Sequence, residues 1–285
     1  MLSAALPSTA ATRQPLSLTD RDLEILTHAA HARVLSTEQL YHLVRDRWPT
    51  SPKTLGERAT LLLGHGYLGA VRTARGRLWH LGPEALSCLA RGRRLSDEKL
   101  LRARRTRLEP LDRLEHWCEL GWLYVVFLLS LRQQERYEMV DWHVEPRPRG
   151  LYVFPDAITL VRDRARPLGK DLILFSLEMD RATMRAHGGG PDGHPILEKL
   201  RRAWRTLREG RFHAAYQLPR TAPTLVLVVT PSSTRRNNLA QLARLADDRQ
   251  SGSPFFRFCA RPEATELVLR SLSGPTGDSQ ATSGP

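Results

Sequence analysis

The sequence is poor in lysine and cysteine and contains no long apolar run. Lysine occurs only at Lys53, Lys99, Lys170 and Lys199, so 39 of the 43 basic residues are arginine. The three cysteines, Cys88, Cys118 and Cys259, stand far apart, with no CxxC pair and no Cys/His ligand spacing. That pattern excludes a disulfide scaffold and a zinc ribbon, and it fits a reducing, cytoplasmic setting. The longest apolar stretch, from Gly121 to Leu131, is too short to cross a bilayer. The opening MLSAALPSTAATRQP lacks a charged region followed by an apolar one, so neither a membrane span nor a signal peptide is expected.

What the sequence has in excess is positive charge, +13 at pH 7 over 285 residues. Such a balance favours a polyanionic partner, because each phosphate neutralised releases condensed counterions. Arginine suits bidentate contacts to phosphate and guanine. A GC-rich genome would produce the same arginine-to-lysine ratio, but not the net charge. The length allows one large domain or two modest ones.

The chain reads as two blocks between polar arms. Residues 1–16 and 273–285 are small and polar and are expected to be disordered. Residues 17–92 form a first domain, 93–109 a basic linker or helix within RGRRLSDEKLLRARRTRLE, and 110–272 a second domain. That basic run is equally a solvated face or a helix lying along a DNA backbone.

Caps punctuate the first block. Thr19 precedes a helix with Leu23, Ile25, Leu26, Ala29 and Ala30 on one face. Ser36 opens STEQLYHLV with Gln39 at the capping-box position. Ser51-Pro52 opens a third helix that stops at Gly64 or Gly66. Two short strands follow, YLGAVRT and RLWHL, around Ala74-Arg75-Gly76, and the helix PEALSCLA closes the block. Three helices followed by a basic-tipped hairpin are the parts of a winged helix-turn-helix. On that reading Lys53, Thr54, Glu57 and Arg58 face the major groove of duplex DNA, while Leu55, Ala59, Leu62 and Leu63 pack inward. Arg72, Arg75 and Arg77 would straddle the adjacent phosphates or minor groove. The competing reading is a helical interaction module with a solvated charged hairpin.

The second block begins with a long, largely buried helix, about Pro110 to Gln134. Strand-like segments follow at YEMVDWHVE, GLYVFPDAITLVRD and DLILFSLEMD, then a helix from Ile196 to Glu209 and the strand TLVLVVT. A helix from Ser233 to Asp248, the strand PFFRFCA and a helix from Pro262 to Leu272 complete it. This order predicts a mixed sheet flanked by helices, hence an α/β domain within an α+β whole.

Asp156 follows Pro155 at a strand, and Glu178 and Asp180 come 22 and 24 residues later, on one side of the next strand. If those strands pair, three carboxylates converge where Mg²⁺ or Mn²⁺ would bind through hard oxygen ligands and activate water against a phosphodiester. Lys199 is the lysine near enough in sequence to stabilise developing charge. Equally, Asp156 caps a turn and Glu178 and Asp180 pair with arginines such as Arg181. His116, on a mostly apolar helix, reads as a satisfied core histidine, and HGGGPDG (His187 to Gly193) as a loop without the GK[ST] ending of a phosphate-binding loop.

This second block resembles the PD-(D/E)xK nuclease core over roughly residues 110–230, an aspartate at one strand and E-x-K on the next. The sequence departs from that pattern at the lysine: Glu178-Met179-Asp180 stands in place of E-x-K, which favours a catalytically silent site unless Lys199 substitutes. Taken whole, the chain resembles the replication-relaxation family of plasmid and mobile-element proteins from Leu18 to about Thr230. The resemblance rests on LTDRDLEIL, LSTEQLYHL, WHLGPEAL, His116, PDAITL, and LEMDRAT followed by Lys199 and Trp204. It implies a restriction-endonuclease-like second domain and a role in plasmid replication, DNA relaxation or mobilisation, with double-stranded DNA and other replication or mobilisation proteins as partners. Two alternatives stay open. One is an active metal-dependent DNA endonuclease or nickase; the other is a winged-helix transcriptional regulator whose second domain binds a ligand or partner.

Overall fold

A computed structural model describes residues 16–74, 76–91, 95–106, 109–181, 195–246 and 255–273. The fold is α+β, with one three-stranded and one five-stranded sheet, and the chain divides into two units. The first comprises residues through Ala30 and Ser36–Glu109; the second comprises His31–Leu35 and the chain from Pro110 onward. Of the arms expected to be disordered, 1–16 and 273–285, all but Leu16 and Ser273 lie outside the described residues, as do HGGGPDG and Arg75.

In the first unit, α1 (Asp20–Ala32) buries Ile25, Leu26, Ala29 and Ala30. The short strand β1 (Leu35–Ser36) leads into α2 (Thr37–Val44). Ser36 accepts from the Gln39 amide, and the Gln39 side chain accepts from the Ser36 amide at 2.7 Å, the reciprocal capping box. Ser51 caps α3 (Pro52–Gly64), whose inner face carries Leu55, Ala59 and Leu62. The strands β2 (Leu68–Thr73) and β3 (Gly76–Leu81) form an antiparallel hairpin, with Gly76 at φ +113°, where a side chain would be strained. The indole of Trp79 donates to Thr37 at 2.9 Å, tying the hairpin to α2. After α4 (Pro83–Arg91), α5 (Asp97–Arg105) buries Leu100 and Ala103. Within the stretch read as a basic linker or helix, Asp97–Arg105 is therefore a helix with a buried side. Its two apolar positions, three apart, give it a buried side despite the arginines.

The second unit opens with α6 (Leu111–Arg132), a helix long and apolar enough to cross a membrane by length and composition. Its apolar side chains pack within the unit instead: Phe127 meets Trp142 and Phe175 with ring centroids 6.1 and 5.2 Å apart. The sheet runs β4 (Tyr137–Val144), β5 (Ala157–Asp163), β6 (Leu172–Met179), β7 (Thr224–Thr230), β8 (Phe256–Ala260). The first three strands are antiparallel, while β6, β7 and β8 are parallel. Parallel neighbours need crossovers. The chain supplies α7 (Pro195–Arg208) with α8 (Arg211–Ala215) between β6 and β7, and α9 (Ser233–Ala246) between β7 and β8. Ile158, Leu174, Val226 and Val228 bury one sheet face under α7 and α9. Phe175, of opposite parity to Leu174, turns the other face to α6, and α10 (Ala264–Ser273) packs beside α6.

One expected strand is shorter in the structure. Residues 150–154 are not extended ladder, and β5 begins only after Pro155, which has no amide hydrogen to give a ladder. Leu151 and Val153 instead pack into the core beneath α7.

Candidate functional site

Two places carry the residues singled out by sequence. In the first unit, a groove of about 620 Å³ runs between α3 and the hairpin. Lys53 and Glu57 line one wall and Arg72 and Arg77 the other. Lys53, Thr54 and Glu57 are exposed, as expected, because Pro52 starts the helix with these positions opposite Leu55 and Ala59. Arg77 stacks 5.2 Å from the Trp79 ring centroid and donates to Thr60 at 3.2 Å, which holds it at the groove rim.

Arg58 corrects the sequence reading. Its guanidinium does not face outward but forms a two-pronged pair with Asp22 of α1, whose carboxylate is fully buried. Asp22 also accepts from the Thr19 amide and hydroxyl at 2.8 Å. A carboxylate brought into the core needs a full set of donors, and Arg58, one helix face away from Glu57, is the cation within reach. Burial would raise the Asp22 carboxyl, but Arg58 and Thr19 outweigh it and hold it below the ordinary value.

In the second unit the sheet register builds the other site. Ala157 pairs with Leu177, so Asp156 and Glu178 leave the ladder side by side. The Met179 amide donates to Asp156 Oδ2 at 2.7 Å, which fastens the aspartate to the end of β6. Glu178 has the parity of Leu174 and therefore lies on the α7 and α9 face. There Lys199, from the first turns of α7, pairs with it. Asp180, two residues further, also faces this way, but its carboxylate accepts from Arg235 of α9 at 2.7 and 3.2 Å. His116 of α6 brings Nε2 to 3.7 Å from Asp156 Oδ1.

These residues surround a cavity of about 270 Å³. Asp156, Glu178, Asp180, Lys199 and His116 occupy its polar end, and Ile196, Leu200, Val226 and Phe256 are among its apolar walls. Arg181, which also lines the cavity, is held by Glu119, one turn beyond His116, at 3.4 Å, and Glu119 meets Arg261 at 3.1 Å.

The two neighbouring carboxyls have split properties. Burial, reinforced by the Asp156 charge, pushes Glu178 up to about 8. Burial would also raise Asp156, yet the nearby His116 and the Lys199 charge hold it below the ordinary range. Lys199 loses solvation in the cavity, but Glu178 and Asp156 outweigh that and keep it charged. The arrangement thus offers one ionised carboxylate, one carboxyl that exchanges its proton near neutrality, and a cation, all opening on one cavity. Paired acids with separated pKa values are the usual equipment of acid–base chemistry.

Of the four residues expected to form this site, Asp156, Glu178 and Lys199 come together, and Asp180 lines the same cavity while engaged with Arg235. Among the described residues, no group of three or more His, Cys, Asp and Glu side chains is arranged to hold a metal ion. Two site residues were missed. His116 was read as a satisfied core histidine, but its Nδ1 is buried without a hydrogen-bond partner and its other nitrogen faces Asp156. Arg235 carried no local signal, since only the crossover from β7 places the start of α9 beside β6.

Comparison with protein-family models, with curated proteins and with solved structures finds no match for this chain.

Proposed function

We propose that this chain is a DNA-binding protein acting in the replication, relaxation or mobilisation of a plasmid or other mobile element in the cytoplasm. In this reading the first unit is a winged helix-turn-helix and the second a nuclease-like domain. The observation that carries it is the groove with Lys53 on the α3 side and Arg72 and Arg77 on the hairpin. An exposed helix start with a basic hairpin at its flank is an arrangement that can put a helix in the major groove and cations on adjacent phosphates. Binding of duplex DNA by the full chain should weaken with salt by about 0.9 in log–log slope per phosphate contacted. Replacing Lys53, Arg72 and Arg77 together by alanine should remove most of the affinity. A parent protein that binds no duplex, or binds it independently of salt, would sink the proposal.

A second reading, an active metal-dependent DNA endonuclease, is favoured by Lys199. Although E-x-K is absent, the lysine from α7 reaches Glu178 beside Asp156, where a scissile phosphate would need a cation. The donor set fits a hard cation: Asp156 and Glu178 would be the protein ligands of Mg²⁺ or Mn²⁺, which commonly takes one or two carboxylates with the rest from water and phosphate. Such an ion supplies an activated water and screens phosphate charge. The chain's own contribution is to hold Asp156 ionised and to place Lys199 against the anion. Nicking of supercoiled plasmid with either metal, abolished by Asp156→Asn, is the expected result. No nicking under any divalent cation would leave the domain a positioning scaffold.

A further inference from the structure

The outward face of α7 bears Arg201, Arg205 and Arg208, at the i, i+4, i+7 spacing of one helix side, all exposed. Arg205 does not wave freely. Its guanidinium lies 4.3 Å from the centroid of the Tyr152 ring, and Arg211 of α8 lies 3.9 Å from the same ring. Both donate to Glu209, at 2.9 and 2.7 Å, and the Tyr152 hydroxyl donates to it at 2.9 Å. Arg211 also donates to the Gly150 carbonyl at 2.9 Å, and Arg220 reaches the Glu209 carbonyl at 3.5 Å. Two guanidiniums thus converge on one carboxylate, whose pKa Arg205 and Arg211 draw down to about 2, and a third sits on the backbone carbonyl of the same residue. The cluster keeps a surplus of two positive charges at a fixed place.

We infer that this arginine cluster is a second DNA contact, a site for backbone phosphate on the nuclease-like unit, separate from the groove of the first unit. The chemistry favours phosphate for two reasons. Guanidiniums held planar against an aromatic ring have already lost the rotamer freedom that binding would otherwise cost. The N–H groups that Arg205 and Arg220 do not direct at Glu209 present the forked geometry that phosphate oxygens accept. The cluster lies on the helix whose opposite side carries Lys199, so a duplex held there would rest on the element that also shapes the acidic cavity. This inference rests on the DNA-binding reading above and says where the second unit would grip.

The test compares full-length variants by salt titration of duplex binding. Arg205→Ala/Arg220→Ala should make the log–log slope shallower by about two, since each phosphate contact contributes about 0.9. Arg205→Lys/Arg220→Lys, which keeps the charge, should recover most of that slope. Arg201→Glu, on the same exposed face but outside the Tyr152 clamp, should weaken binding without touching the fold. An unchanged slope in the alanine double variant and in Arg201→Glu overturns the inference, while loss of binding in the groove variants would still uphold the DNA-binding reading. A parent chain that fails to bind duplex DNA overturns both.

Discussion

Arg58 and Glu178 are each one side chain whose role depends on a neighbour far away in sequence. Arg58 neutralises a fully buried Asp22, so its loss strands a carboxylate in the core. Arg58→Ala should therefore destabilise the protein by about 3 kcal/mol in denaturant melts, the usual cost of breaking a buried pair, rather than alter which DNA sequences are preferred. A variant with parental stability and changed sequence preference would restore Arg58 as a base reader. Because the Asp22 value is depressed in the fold, the stability it supplies is present above its unfolded value and lost as pH falls through the folded one. Glu178 has the opposite sign. Its folded value of about 8 lies above the ordinary 4.5, so the native state holds a proton that the unfolded chain has released. That contribution is complete below about 4.5 and is lost as pH rises through about 8. Glu178→Gln should flatten this decline in urea titrations run across the range; an equally steep decline in the variant would assign it to another group.

At the scale of elements, the local signals were strong wherever a cap or a turn was at work. The Ser36 and Gln39 box, the Ser51-Pro52 start and the Gly76 turn were all legible, because each acts within four residues and needs a particular side chain or φ angle. Removing the first, by Ser36→Ala, should cost about 1 kcal/mol. Local signals failed at residues 150–154, where Leu151 and Val153 have the composition of a strand but find the core under α7 instead. At α5 they left linker and helix open, because the arginines obscured the two buried apolar positions. The hairpin has a constraint of its own: Gly69 pairs across from His80, and a Cβ there would overlap the imidazole ring. Gly69→Ala should therefore disturb the hairpin and weaken duplex binding, and Gly69→Ala/His80→Ala should recover part of it. If the single variant binds and melts like the parent, the hairpin yields more easily than its packing implies.

For the whole molecule, +13 net charge coexists with an acidic, mostly buried cavity, so DNA affinity and cavity chemistry should be separable. Asp156→Asn should leave duplex affinity within about twofold and the salt slope unchanged, because the cations proposed to hold phosphate, Lys53, Arg72, Arg77 and the Arg205 cluster, do not line the cavity. A large loss of affinity in that variant would place the cavity within the DNA contact itself. By itself the sequence determined most of the elements, the exposed start of α3 and the proximity of Asp156 to Glu178. These follow from caps, periodicities and the pairing of adjacent strands, which act over short stretches of chain. Only the tertiary structure decided that Arg58 turns inward to Asp22, that Lys199 reaches Glu178, that Arg235 takes Asp180 and that His116 faces Asp156. Each of those pairings joins elements more than twenty residues apart, and its partner is chosen by the cost of burying a charge alone, a quantity that exists only once the core has closed around it.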